Sequence, residues 1–187
     1  MLLRFIVSLL ASFCMIAPAA ASQHESVWVY GVDFTLTRVY GADESVEEFR
    51  TAFEGINKLL LSEPEKYTIS KFLDVPTRID LAPMLARTAA ADFGDLICYE
   101  DPVERTIDLG DALRTLNLKQ EEGRGFVVFA LSLDKANGCA TLRAVEFDIA
   151  TREVIRCADF QTKPRGFGLR NFWARTLYLM LRDHHME

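Results

Sequence analysis

Three carboxylates are the first residues whose type and placement could do chemistry. Asp33 lies in the alternating run "SVWVYGVDFTLTRVY", and Glu146 and Asp148 stand two apart in "CATLRAVEFDI". Residues two apart on a strand point to the same side, and two carboxyl groups facing one cleft can act as acid and base in glycoside hydrolysis. No aromatic cluster that would hold a sugar accompanies them. The sequence therefore favours a solvated polar sheet face for Asp33, Glu146 and Asp148, with Asp148 folding the "DIATRE" turn through its side chain. Histidine offers less: His24 lies near the start, and His184 and His185 form a pair near the end. Adjacent tail histidines lack a preorganised third ligand, so a frayed polar terminus is expected and no metal site. No His-Glu-x-x-His or Gly-x-Ser-x-Gly pattern occurs. No catalytic residue can be assigned, and the chain reads as a non-enzyme.

The second chemical candidate is "TKPRGFGLRNFWARTLYLML", residues 162–181, in which two glycines open a helix among basic residues. A dinucleotide fingerprint needs a third glycine and a strand further on. Here Asn171 stands where that glycine would be, and the chain ends first. A Walker loop needs Gly-Lys-Ser/Thr, which is absent. No cofactor is expected. A weaker anion or partner site remains at Lys163, Arg165, Gly166, Gly168 and Arg170, because backbone N–H groups at a helix start attract anions. The competing expectation is a jointed strand-to-helix turn, with Gly166 and Gly168 supplying unusual φ angles and Phe167 anchoring the chain. Arg170 and Arg175 fall about 140° apart around a helix, so the arginines make no single stripe. Arg175 and Arg182 do share a face, as ordinary solvated decoration.

The elements that must position these residues follow from periodicity. Residues 26–40 alternate, with Trp28, Tyr30, Val32, Phe34 and Leu36 on one face and Asp33, Thr35 and Thr37 on the other, which predicts a half-buried strand. Ser45 and Glu48 form a capping box, and Val46, Phe49, Phe53, Ile56 and Leu60 continue at helical spacing to about residue 61. Residues 66–73 read as either strand or helix. Pro76 and Pro83 bracket a connection, and residues 83–91 predict a short helix with Asp80 near its cap. A short strand is expected at 95–100 and a helix over 106–118. "GFVVFALSL" has the continuous apolar character of a central strand buried on both faces. "CATLRAVEFDI" and "REVIRCADF" predict a β-hairpin, and a terminal helix follows with Phe172 and Trp173 sealing the sheet. The order implies an α/β fold at the border with α+β. It is one domain, a mixed sheet of about five strands with a C-terminal hairpin and helices packed on it.

Composition limits the function. Half of the 187 residues are hydrophobic and the net charge is −6, so a sizeable core is available and long-range attraction to nucleic acid is not. Arg4, the apolar run "FIVSLLASFCMIA" and the small residues of "PAAAS" predict a secretory signal peptide over residues 1–21, cut after Ala21. Residues 22–187 then form the domain, exported to the periplasm or beyond. The apolar run falls short of the roughly 20 residues a membrane span needs. Cys98, Cys139 and Cys157 remain after cleavage; one bridge is possible, though three small buried thiols are the simpler expectation. A simple hairpin register sets Cys139 and Cys157 too far apart to bridge.

"VEFDIATREVIRCADF" followed by "KPRGFGLRNFWARTLYLMLR", with "GVDF" in the first strand and "FEGIN" in the first helix, resembles a small uncharacterised family of secreted bacterial envelope proteins. The hairpin and terminal helix are also similar, at fold level, to the amino-terminal α/β domains of TolB-type periplasmic assembly proteins. The first resemblance implies an exported envelope protein without assigned chemistry. With no catalytic constellation, a non-catalytic module that binds an envelope protein or assists an assembly is expected first. A periplasmic small-ligand or glycan binder comes second, and a hydrolase using carboxylates or cysteine third.

Overall fold

The computed structural model describes residues 26–100, 102 and 106–186; the expected signal peptide and His24 lie outside them. Seven strands form one mixed sheet: β1 (Val27–Asp33), β2 (Arg38–Tyr40), β3 (Thr77–Ile79), β4 (Ile97–Cys98), β5 (Arg124–Asp134), β6 (Cys139–Asp148) and β7 (Val154–Thr162). Five helices are interleaved: α1 (Val46–Ser62), α2 (Ile69–Leu73), α3 (Ala82–Ala90), α4 (Leu109–Arg114) and α5 (Leu169–Asp183). The fold is α/β. β5 is the axis, with antiparallel β6 along one edge and, on the other, parallel β1 beside residues 125–129 and parallel β2 beside 132–134. β3 and β4 lie parallel to β1 and β2 in turn. About five strands were expected; β3, in the stretch read as a connection, and the break between β1 and β2 make seven, arranged in five rows.

The break between β1 and β2 is a turn in which the Thr37 amide donates to the Phe34 carbonyl (3.0 Å) and the Thr37 hydroxyl to the Ala130 carbonyl (2.7 Å). Upstream, β1 departs from the predicted alternation. Val29, Tyr30, Val32 and Asp33 are all buried, and the register against β5 shifts between Val29 and Gly31. One extra residue at this bulge reverses which face the later side chains take. Tyr30 thus joins the core beneath α4, while Val32 and Phe34 join the opposite core. Gly31 adopts φ +101°, and a Cβ there would stand 2.4 Å from Asn57 Oδ1. Asn57, inside the apolar stripe of α1, accepts from the Val32 amide (2.7 Å) and donates to its carbonyl (2.9 Å).

The helices form largely where their signals lie. Ser45 and Glu48 complete the capping box of α1. Residues 69–73, ambiguous in sequence, form α2, which ends at Asp74 in the left-handed region. The Ala82 amide donates to Asp80 at the start of α3, whereas α4 is shorter than its apolar spacing suggests. α1, α2 and α5 pack over one face; Leu113 and Leu116 of the α4 region, with Met84 of α3, cover part of the other. The terminus expected to fray is tied down: the Met186 amide donates to the Phe72 carbonyl (2.9 Å), and Met186 is buried. His184 packs on the Phe160 ring, and His185 meets the Lys71 carbonyl. Among the described residues no helix is long and apolar enough to cross a membrane.

Candidate functional site

The expected polar sheet face is not solvated. Asp33 is 1% exposed and Glu146 0%, and each carboxylate is neutralised by arginine. Arg87 Nε, from α3, donates to Asp33 Oδ2 (2.7 Å), and both the Thr35 amide and its hydroxyl donate to Oδ1. Glu146 lies between Arg124 and Arg156, with Arg156 Nε 2.6 Å from Oε2. Arg156 also donates to the carbonyls of Met186 and Leu73. A buried carboxylate without such partners would carry a heavy desolvation penalty.

Position rules out joint action. Asp33 stands beside Phe129 in the ladder and Glu146 beside Phe126, and these neighbours belong to opposite cores. Asp33 and Glu146 therefore sit on opposite faces and cannot flank one substrate bond. Asp148 shares Glu146's face but folds the turn as its sequence suggests, accepting from the Thr151 amide (2.8 Å) and hydroxyl (3.1 Å). The Thr151 amide chiefly holds the Asp148 carboxyl below its usual range.

The cysteines also depart from the simplest expectation. All three are free, but none is buried: Cys98 and Cys139 are partly exposed and Cys157 is exposed. Cys157 stands opposite Val145, whereas Cys139 stands opposite Asp134, so the hairpin keeps them apart. Among the described residues no group of His, Cys, Asp or Glu could hold a metal.

The basic glycine stretch is the jointed strand-to-helix turn expected, with both glycines at positive φ, but its aromatic lies elsewhere than expected. Phe167 does not anchor the chain: it is 96% exposed, between Gly166 at φ +130° and Gly168 at φ +76°. The φ values at both glycines are ones that residues with side chains avoid. Pro164 is buried behind the loop, and the Phe172 amide donates to the Gly168 carbonyl (3.0 Å) as α5 begins. Sealing of the sheet falls to Trp173, buried to 1% exposure, with Phe172 only partly covered. The ends of the loop are thus fixed while its aromatic tip faces water. Leaving a phenylalanine in water forgoes about 1.5–3 kcal/mol of burial.

The cations around Phe167 do not converge into a phosphate cradle. Lys163 and Arg165 are exposed and take part in no ion pair among the described residues. Arg170 hydrogen-bonds Asn171 Oδ1 and lies across α1, where a Cβ on Gly55 would come within 2.7 Å of its Cδ. There Arg170 and Leu169 border an open groove of about 720 Å³ with Glu47, Glu54 and Lys58. The site is therefore an apolar tip with free cations at its base and a mixed-charge groove alongside. Its sequence signal was the phenylalanine held between two glycines, a residue without a place in either the strand or the helix period. No protein-family model, curated protein or solved structure matches the chain.

Proposed function

We propose that this chain is an exported, non-catalytic interaction module that docks on a protein of the bacterial envelope through the loop bearing Phe167. The exposed Phe167 between two positive-φ glycines is the observation that carries this reading. Aromatic residues seated in a partner's pocket dominate many interfaces, and the ends of this loop are already fixed by buried Pro164 and the start of α5. The partner would offer an apolar socket rimmed by acceptors for Lys163 and Arg165, with basic groups facing Glu47 and Glu54 in the groove. These carboxylates favour a protein over a flat anionic membrane, which they would repel. Export rests on the leader-like residues 1–21, and the resemblance to secreted envelope proteins agrees with it.

The test is a photo-crosslinking amino acid at position 167 in cells, with the same probe at Leu61 on α1 as comparison. The expected result is a discrete protein adduct at 167, absent at 61 and weakened by Arg165→Glu. Adducts to lipid alone, or identical patterns at both positions, would overturn the assignment.

A further inference from the structure

A second surface carries an independent inference. Tyr178 stands midway along the outer side of α5, with Arg175 three residues before it and Arg182 four after, so helical geometry brings both onto one ring. The Arg175 guanidinium lies 4.7 Å from the ring centroid, that of Arg182 5.3 Å, and Lys66 Nζ, arriving from the turn before α2, 5.9 Å. The pair read in sequence as solvated decoration of one helix face thus flanks one aromatic, with a third cation from another element.

Beside them an open recess of about 550 Å³ is lined by Lys66, Lys71, Tyr178, Arg182 and His185, with Glu65 at its edge. Lys66 is held by Glu63 (2.9 Å) and Arg182 by Asp183 (2.5 Å). Lys71 forms no salt bridge among the described residues, and Arg175 acts electrostatically on Asp183. Lys66 and Arg182 are partly neutralised by their carboxylates, and each cation gains only about 0.5–1 kcal/mol from an exposed aromatic face. A compact oxyanion seated in the recess would take charge-assisted hydrogen bonds from Lys66, Lys71 and Arg182.

We propose that the recess between α2 and α5 binds a phosphoryl group, seated against Tyr178 among Lys66, Lys71 and Arg182. A small phosphate ester and a lipid headgroup both carry this group, and the chemistry recognised is the same. The site is separate from the Phe167 loop and stands or falls without it.

The test titrates the purified protein with inorganic phosphate by calorimetry at low ionic strength. In parallel it is sedimented with vesicles of phosphatidylglycerol or of phosphatidylcholine. The double variant Lys66→Gln with Lys71→Gln should weaken binding about tenfold or more, the scale of one lost charge-assisted contact. Arg114→Gln with Lys119→Gln removes the same charge elsewhere and should leave binding unchanged. Phosphate binding that follows this pattern supports a soluble ester; vesicle binding that follows it, confined to phosphatidylglycerol, supports a lipid headgroup. Absence of both, or equal loss in the two double variants, overturns the proposal.

Discussion

Asn57 shows how one polar side chain can set the geometry of a strand. Its amide occupies both backbone groups of Val32 beside the Gly31 bulge, and the bulge decides which core each later residue of β1 enters. Asn57→Ala would leave a buried donor and acceptor unpaired, so a loss of about 2–4 kcal/mol is expected in urea unfolding. Gly31→Ala should be comparably damaging through its positive φ and the contact with Asn57. A loss below about 1 kcal/mol for Asn57→Ala would show that the bulge holds without it. Asp148 supplies a residue-scale prediction about pH. Its carboxyl is lowered by the Thr151 amide and hydroxyl. The resulting stabilisation is fully present above the unfolded carboxyl's pKa, about 3.9, and is lost as pH falls through the lower folded value. Carboxyl NMR should place the Asp148 midpoint below that of free aspartate, and Thr151→Ala should move it part of the way back. A midpoint at the ordinary value would remove the bonds from the account.

At the scale of elements, Glu146 joins β5, β6 and β7 to the segment after α5. Arg124 and Arg156 flank it, and Arg156 continues to the carbonyls of Met186 and Leu73. Both arginine side chains are about a third exposed or less, so solvent screens part of the interaction. Glu146→Gln is expected to cost about 2–4 kcal/mol, less than a fully buried pair. It should also speed amide exchange at Met186, whose N–H bonds Phe72. Unchanged exchange at Met186 would separate the ion cluster from the terminal segment.

The same elements show what the sequence could disclose. The capping box of α1, the apolar run of β5 and the β6–β7 hairpin were legible because local periodicity and turn chemistry determine them. The bulge in β1 was not, since the reversal depends on Asn57, twenty-five residues away; an asparagine within an apolar helical stripe was the sole hint. Burial of Asp33 and Glu146 was equally hidden. Arg87 and Arg156 reach them only through tertiary folding, and a carboxylate on a strand reads as solvated until its partner is known. Phe167 was read as an anchor because large aromatics are usually covered, and nothing local reveals the absence of a neighbour.

At the scale of the whole molecule, two cores on either side of a five-row sheet leave the Phe167 loop outside both. The proposed docking would cover that aromatic tip and the unpaired cations at its base. That docking contact is most directly tested by the crosslinking probe at position 167 in the native envelope. A discrete protein adduct that is absent from the probe at 61 and diminished by Arg165→Glu is the result predicted. Lipid adducts alone, or the same adducts from both positions, would contradict it.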